Sequence, residues 1–131
     1  VDLQSGIRAR LLADGTVAAA VAARIDWGER KQGASMPAIV LQTISDPRPV
    51  HLKDYQETRS TLIQMDVYAL TYAQALTIAR AAIAVLKVPA TLSGKIFGAC
   101  FVDGQRDTVE PLGTTNVHRQ SVDLLVWHKG E

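Results

Sequence analysis

A single Ala-rich helix, predicted over Tyr72–Lys87, divides the strand-forming part of this 131-residue chain into two pairs of runs. Tyr72, Leu76, Ala79, Ile83 and Leu86 recur at the spacing of one helical face, flanked by Ala75 and Ala82, while Gln74, Arg80 and Lys87 fall off it. Val88-Pro89 ends the helix, because a residue before proline avoids the helical region. Strand-like runs precede it at Ala38–Ile44 and Thr61–Ala69 and follow it at Lys95–Val102 and Thr115–Trp127. This order predicts an α+β domain: an antiparallel sheet of about four strands packed against one main helix, with short N-terminal helices beside it.

The runs differ in how they alternate. In Thr61–Ala69, Ile63, Met65, Val67 and Ala69 point one way and Gln64, Asp66 and Tyr68 the other, the mark of a half-buried strand. In Thr115–Trp127, Val122, Leu124 and Val126 share a face opposite Arg119, Ser121 and Asp123. Ala38–Ile44 is apolar on both faces, through Ile39 and Leu41 on one and Val40 and Ile44 on the other, which predicts a central or doubly covered strand. Asp103–Gly113 reads as a turn-rich connection, and the last two strands are expected to pair as a long antiparallel hairpin.

Before the first of these runs, Leu3, Ile7 and Leu11 predict a short helix over Leu3–Leu12 with Arg8 and Arg10 pointing away from its apolar side. Asp14-Gly15 closes it, and Thr16 is the expected cap of a second helix, Val17–Ala23. Arg24–Ser35 reads as irregular. With no repeat, low-complexity tract or linker, residues 1–131 read as one domain.

Composition narrows the function classes. A formal net charge of +1 excludes the dense basic surface that binds nucleic acid by neutralising phosphates. No apolar run is long enough to span a bilayer, the N-terminus lacks a secretory layout, and the lone Cys100 fits a reducing compartment. Aromatics are 5%, so a core built from Ala, Val, Ile and Leu would gain from a partner subunit.

Residues that could carry chemistry are scattered. His118 and His128 lie on one strand about 33 Å apart at the strand rise, too far to share a metal, and with His51 they read as surface or edge histidines. Asp103, Asp107 and Glu110 lack the spacing of a calcium loop and read as a solvated hairpin loop. Cys100, among apolar neighbours, reads as a small buried hydrophobe rather than a nucleophile. There is no nucleophile elbow and no phosphate-cradling glycine loop. The expectation is a non-enzymatic protein with no catalytic residue, cofactor or metal.

Two features point to protein contacts instead. Ile78 and Val85 fall nearly opposite the main stripe of the long helix, so they are expected in a subunit interface or under the N-terminal helices. The segment Asp46–Thr58 carries Arg48, Lys53, Asp54 and Glu57. It reads either as a solvated loop or as an arm whose mixed charges suit a neighbouring subunit.

Several stretches together resemble the tail-terminator, or tail-completion, proteins of long-tailed bacteriophages and gene transfer particles. They are Leu11-Leu12-Ala13-Asp14 leading to Val21 and Ala23-Arg24-Ile25, then Gly33-Ala34-Ser35-Met36-Pro37-Ala38-Ile39-Val40-Leu41, then Leu62–Tyr68 with Ala73, Ala75 and the helix to Leu86, and last Arg119–Val126. The resemblance implies a small α+β structural protein of the virion tail or neck, assembled in the host cytoplasm. It implies a ring of itself, typically hexameric, which caps the tail tube and meets both the tail-tube protein and the head-completion or connector protein. DNA would pass through the lumen without sequence-specific binding. A head-completion or neck adaptor, or another non-enzymatic protein-binding module, is the alternative reading, and a small-molecule enzyme the third.

Overall fold

The computed structural model describes residues 2–29, 36–47 and 58–129. Helices α1 (Leu3–Leu12) and α2 (Gly15–Val21) come first, followed by strands β1 (Ile25–Trp27), β2 (Ala38–Ser45) and β3 (Thr58–Ala69). Helix α3 (Tyr72–Lys87) and strands β4 (Ala90–Leu92), β5 (Lys95–Leu112) and β6 (Thr115–Lys129) complete the chain. The strands form one six-stranded sheet in the order β1-β2-β3-β6-β5-β4. Every pairing is antiparallel except β1 with β2. The α+β class holds. The sheet has two strands more than the sequence pattern suggests, both only three residues long.

Both short strands sit at sheet edges where local chemistry places them. β1 lies within the stretch expected to be irregular and runs parallel to Ile39–Leu41 of β2. β4 turns back on β5 through Ser93 and Gly94, both at positive φ, in the tight turn whose twist matches a hairpin.

Three elements depart from expectation for physical reasons. β5 runs on through the supposed turn-rich connection to Leu112, because pairing with β6 continues up to the Leu112–Thr115 pair. β2 is buried over Ala38–Leu41 but open over Gln42–Ser45, with Ile44 49% exposed, since β1 pairs with only its first half. α1 stops just before Asp14, as expected, but Asp14 also caps α2, its carboxylate accepting the Val17 N–H at 3.0 Å, the role expected of Thr16.

The core lies between the sheet and the three helices. From the sheet come Ile39, Leu41, Ile63, Met65, Val67, Phe97, Val122, Leu124 and Val126; from α1 and α2 come Leu3, Ile7, Leu11, Val17 and Val21. α3 buries Ala75, Ile78, Ala79, Ala82 and Leu86, while Tyr72 is 45% exposed and Leu76 and Ile83 are half-buried. Its inward face is therefore turned toward Ile78 from the predicted stripe. At about 100° per residue, Ile78 stands only some 60° from Ala75 rather than opposite the stripe. α1 and α2 both pack on α3, so that helix is covered by more than the sheet.

Candidate functional site

The strands place their most unusual side chains in a line of polar groups on the helix-facing side of the sheet. Arg59 and Thr61 on β3 share the parity of Ile63, and His128 on β6 pairs in register with Arg59. Phe97 on β5 pairs with His128, and Lys95 lies two residues before it on the same face. Lys95, His128 and Thr61 are each at most 1% exposed. Lys95 Nζ lies 2.7 Å from His128 Nδ1, and His128 Nε2 lies 2.7 Å from Thr61 Oγ1. Thr61 donates to Asp46 Oδ1 at 2.9 Å, and Arg59 Nε donates to the same oxygen at 3.2 Å. His128 is thus neither a surface nor an edge histidine. Its period-two position beside Val122, Leu124 and Val126 marked it as inward, and nothing in the sequence marked Lys95 as its partner.

Another buried cation joins the helical layer to itself. Arg10, 8% exposed, donates through Nη2 to the Val85 carbonyl at 2.9 Å and to the Val88 carbonyl, and its guanidinium lies 5.2 Å from the Phe97 ring centroid. The last carbonyls of a helix have no intrahelical donor, so Arg10 supplies one. Burial lowers its pKa from the ordinary arginine value. Arg10 therefore points inward, against expectation. Cys100 is buried nearby, and desolvation pushes its thiol to about 11. It is a packed hydrophobe, as its apolar neighbours suggested.

The opposite sheet face carries paired charges. Asp66, 5% exposed, accepts from Ser121 Oγ at 2.6 Å and from Gln64 Nε2 at 3.1 Å. Arg106 meets Asp123 at 3.2 Å and Arg119 meets Glu110 at 3.3 Å. A hydrogen bond with Tyr68, whose ring centroid is 6.0 Å away, raises the Arg119 pKa above its ordinary value.

Beyond the reach of β4, the side chains of β5 are largely open to solvent. Phe101 is 56% and Val109 53% exposed. On the helix-facing side, Tyr72 Oη donates to Asp107 at 3.2 Å, and Gln105 donates to Gln120 at 2.9 Å. Asp103, Asp107 and Glu110 thus belong to a strand rather than a loop. Among the described residues, no group of three His, Cys, Asp or Glu side chains could hold a metal ion.

The residues expected at a partner interface divide. Ile78 is 1% exposed and belongs to the same core cluster as Leu3, Ile7, Leu11, Val17 and Val21. Val85 is half-buried and lends its carbonyl to Arg10. Arg48, Lys53, Asp54 and Glu57 lie outside the described residues, as does His51.

No curated protein matches the chain. Among solved structures, it is similar to a chain of the virion of a native gene transfer agent particle, at 15% sequence identity and a TM-score of 0.68. The match covers 98% of this chain and 95% of that one, and at such identity it speaks for the fold. The family model described as tail completion protein gp17 matches residues 5–129, nearly the whole folded unit. With the helix-covered sheet and long terminal hairpin in place, the chain belongs to the tail completion protein gp17 family.

Proposed function

We propose that this protein closes the head-proximal end of a phage-type tail tube as a ring of its own copies, six in number, and joins the tube to the head-side connector. The observation that carries the reading is the family match over residues 5–129. The fold suits the role. Buried polar groups tie α1 to α3 and β3 to β6, Arg10 packs on Phe97 across the two layers, and β5 carries exposed apolar side chains. In this reading the protein is structural and turns over no substrate, and its partners are its own ring neighbours, the tail-tube protein and the head-completion protein. DNA crosses the lumen without sequence-specific contact.

A closed ring needs a heterologous contact, in which two different patches of each copy meet. Val85 and the segment bearing Arg48, Lys53, Asp54 and Glu57 are the proposed contributors. Ile78 contributes by holding α3 in place, since its side chain is used inside the chain. Light scattering on the purified protein and on Val85→Asp tests the reading. A ring mass that the substitution reduces to a folded monomer supports it. A stable monomer that binds head-side proteins but not tail tubes favours a neck adaptor instead.

A further inference from the structure

We propose that the outer edge of β5 joins a second copy of this chain, strand to strand, about a two-fold axis at Thr108. Backbone geometry fixes what that edge offers. β4 covers β5 only from Lys95 to Phe97, and beyond that point no strand lies on this side among the described residues. Two residues, Gly113 and Thr114, connect the paired Leu112 and Thr115, and Gly113 has φ +60°. A glycine at positive φ in the first of two loop positions is the signature of a type II′ hairpin. The pair closing such a hairpin exchanges both backbone bonds, and bonded pairs then alternate along the ladder. Leu112, Glu110, Thr108 and Arg106 therefore bond to β6. Gln105, Asp107 and Val109 direct their N–H and C=O groups outward.

A row of outward backbone groups is a template for another strand. The opposite edge of the sheet is guarded: Arg8 Nε donates to the Ile25 carbonyl on β1 at 2.8 Å. On the β5 edge the register shifts fall at Phe97–Cys100 and Val102–Gly104 and the proline at Pro111, so the stretch from Gln105 to Val109 between them is regular, and it contains no lysine to repel a neighbour.

Charge selects the occupant and the register. When β5 pairs antiparallel with its own copy, residues on the same face must meet, so the axis passes through one residue. Centring on Arg106 or on Asp107 sets that residue's charge against itself, which is destabilising. Centring on Val109 sets Asp107 against Pro111, which has no N–H to give, in the bonded pair next to the axis; centring on Thr108 moves that mismatch one bonded pair outward, to Gln105 against Pro111. Centring on Thr108 sets Arg106 opposite Glu110 of the second copy, twice, and matches the outward groups of Asp107 with those of Val109. Arg106 already faces Asp123 and Glu110 faces Arg119, so pairing extends a row of alternating charge. The contact is isologous and therefore separate from the heterologous ring contact; either can fail without the other.

A cysteine at the axis tests the register. Thr108 would meet its copy as a non-bonded pair with Cα atoms about 4.5 Å apart, within disulfide reach. Mild oxidation of Thr108→Cys is expected to give mostly disulfide-linked dimer, and Arg106→Cys several-fold less; buried Cys100 does not compete. Val109→Pro removes one outward N–H per copy and no bond to β6. Its dimer Kd by sedimentation should rise about tenfold or more, with the far-UV circular dichroism unchanged. Thr108→Cys yielding no more dimer than Arg106→Cys, or Val109→Pro dimerising like the parent, overturns the pairing.

Discussion

Lys95 Nζ lies 2.7 Å from His128 Nδ1, and both side chains are withdrawn from solvent. An ammonium has only donors, so with Lys95 charged the Nδ1 atom accepts and the ring hydrogen sits on Nε2. Nε2 then donates to Thr61 Oγ1, which spends its own hydrogen on Asp46. The Thr61 hydroxyl makes two of these links, one to His128 and one to Asp46. Thr61→Val keeps the shape and removes both bonds. It should lower unfolding free energy by about 1–3 kcal/mol in denaturant titrations, and nitrogen NMR should show the Nε2–H tautomer in the parent.

Arg10 holds the end of α3 by donating to the carbonyls of Val85 and Val88 while lying against Phe97. Arg10→Met retains the apolar stem and loses both bonds, so thermal unfolding should show a destabilisation of about 1–3 kcal/mol. Arg10→Lys should recover only part of it, because one ammonium cannot reproduce the planar fork.

Cys100 should be silent toward thiol reagents at pH 8 in the folded protein and react in denaturant. Its thiol titrates at about 11 because burial penalises the thiolate. The sign for stability follows from linkage: below about pH 9 both states hold the proton. Between there and about pH 11 only the unfolded chain loses it, so stability from this group falls as pH rises. Cys100→Ala should flatten that alkaline decline in unfolding measured against pH; an unchanged slope would contradict the assignment.

Ala22, at the C-terminal end of α2, has φ 54° and ψ −119°, a region that suits glycine. It is exposed, so its methyl group contributes little packing. Ala22→Gly should therefore stabilise the fold, by about 1 kcal/mol in chemical denaturation, the reverse of a usual alanine-to-glycine change.

Periodicity made the half-buried strands legible. Ile63, Met65 and Val67 on β3 and Val122, Leu124 and Val126 on β6 face the core as their alternation predicts. On α3 it placed Tyr72, Leu76 and Ile83 too far inward, while Ile78 lies under α1 and α2, one of the two places expected for it. β1 and β4 carry too few residues for any period to show. The buried polar line was hidden for a different reason. Asp46, Thr61, Lys95 and His128 are far apart in sequence and meet only through strand register. The residues proposed for an interface in the segment after Asp46 have no sequence signature beyond mixed charge, which solvated loops share.

The most direct test of the structural role is electron microscopy of tail tubes mixed with the purified, labelled protein. The account predicts one ring of label at the head-proximal end of each tube, which then accepts the head-side connector. Label scattered along the tube wall, or tubes whose ends stay bare at saturating protein, would contradict it.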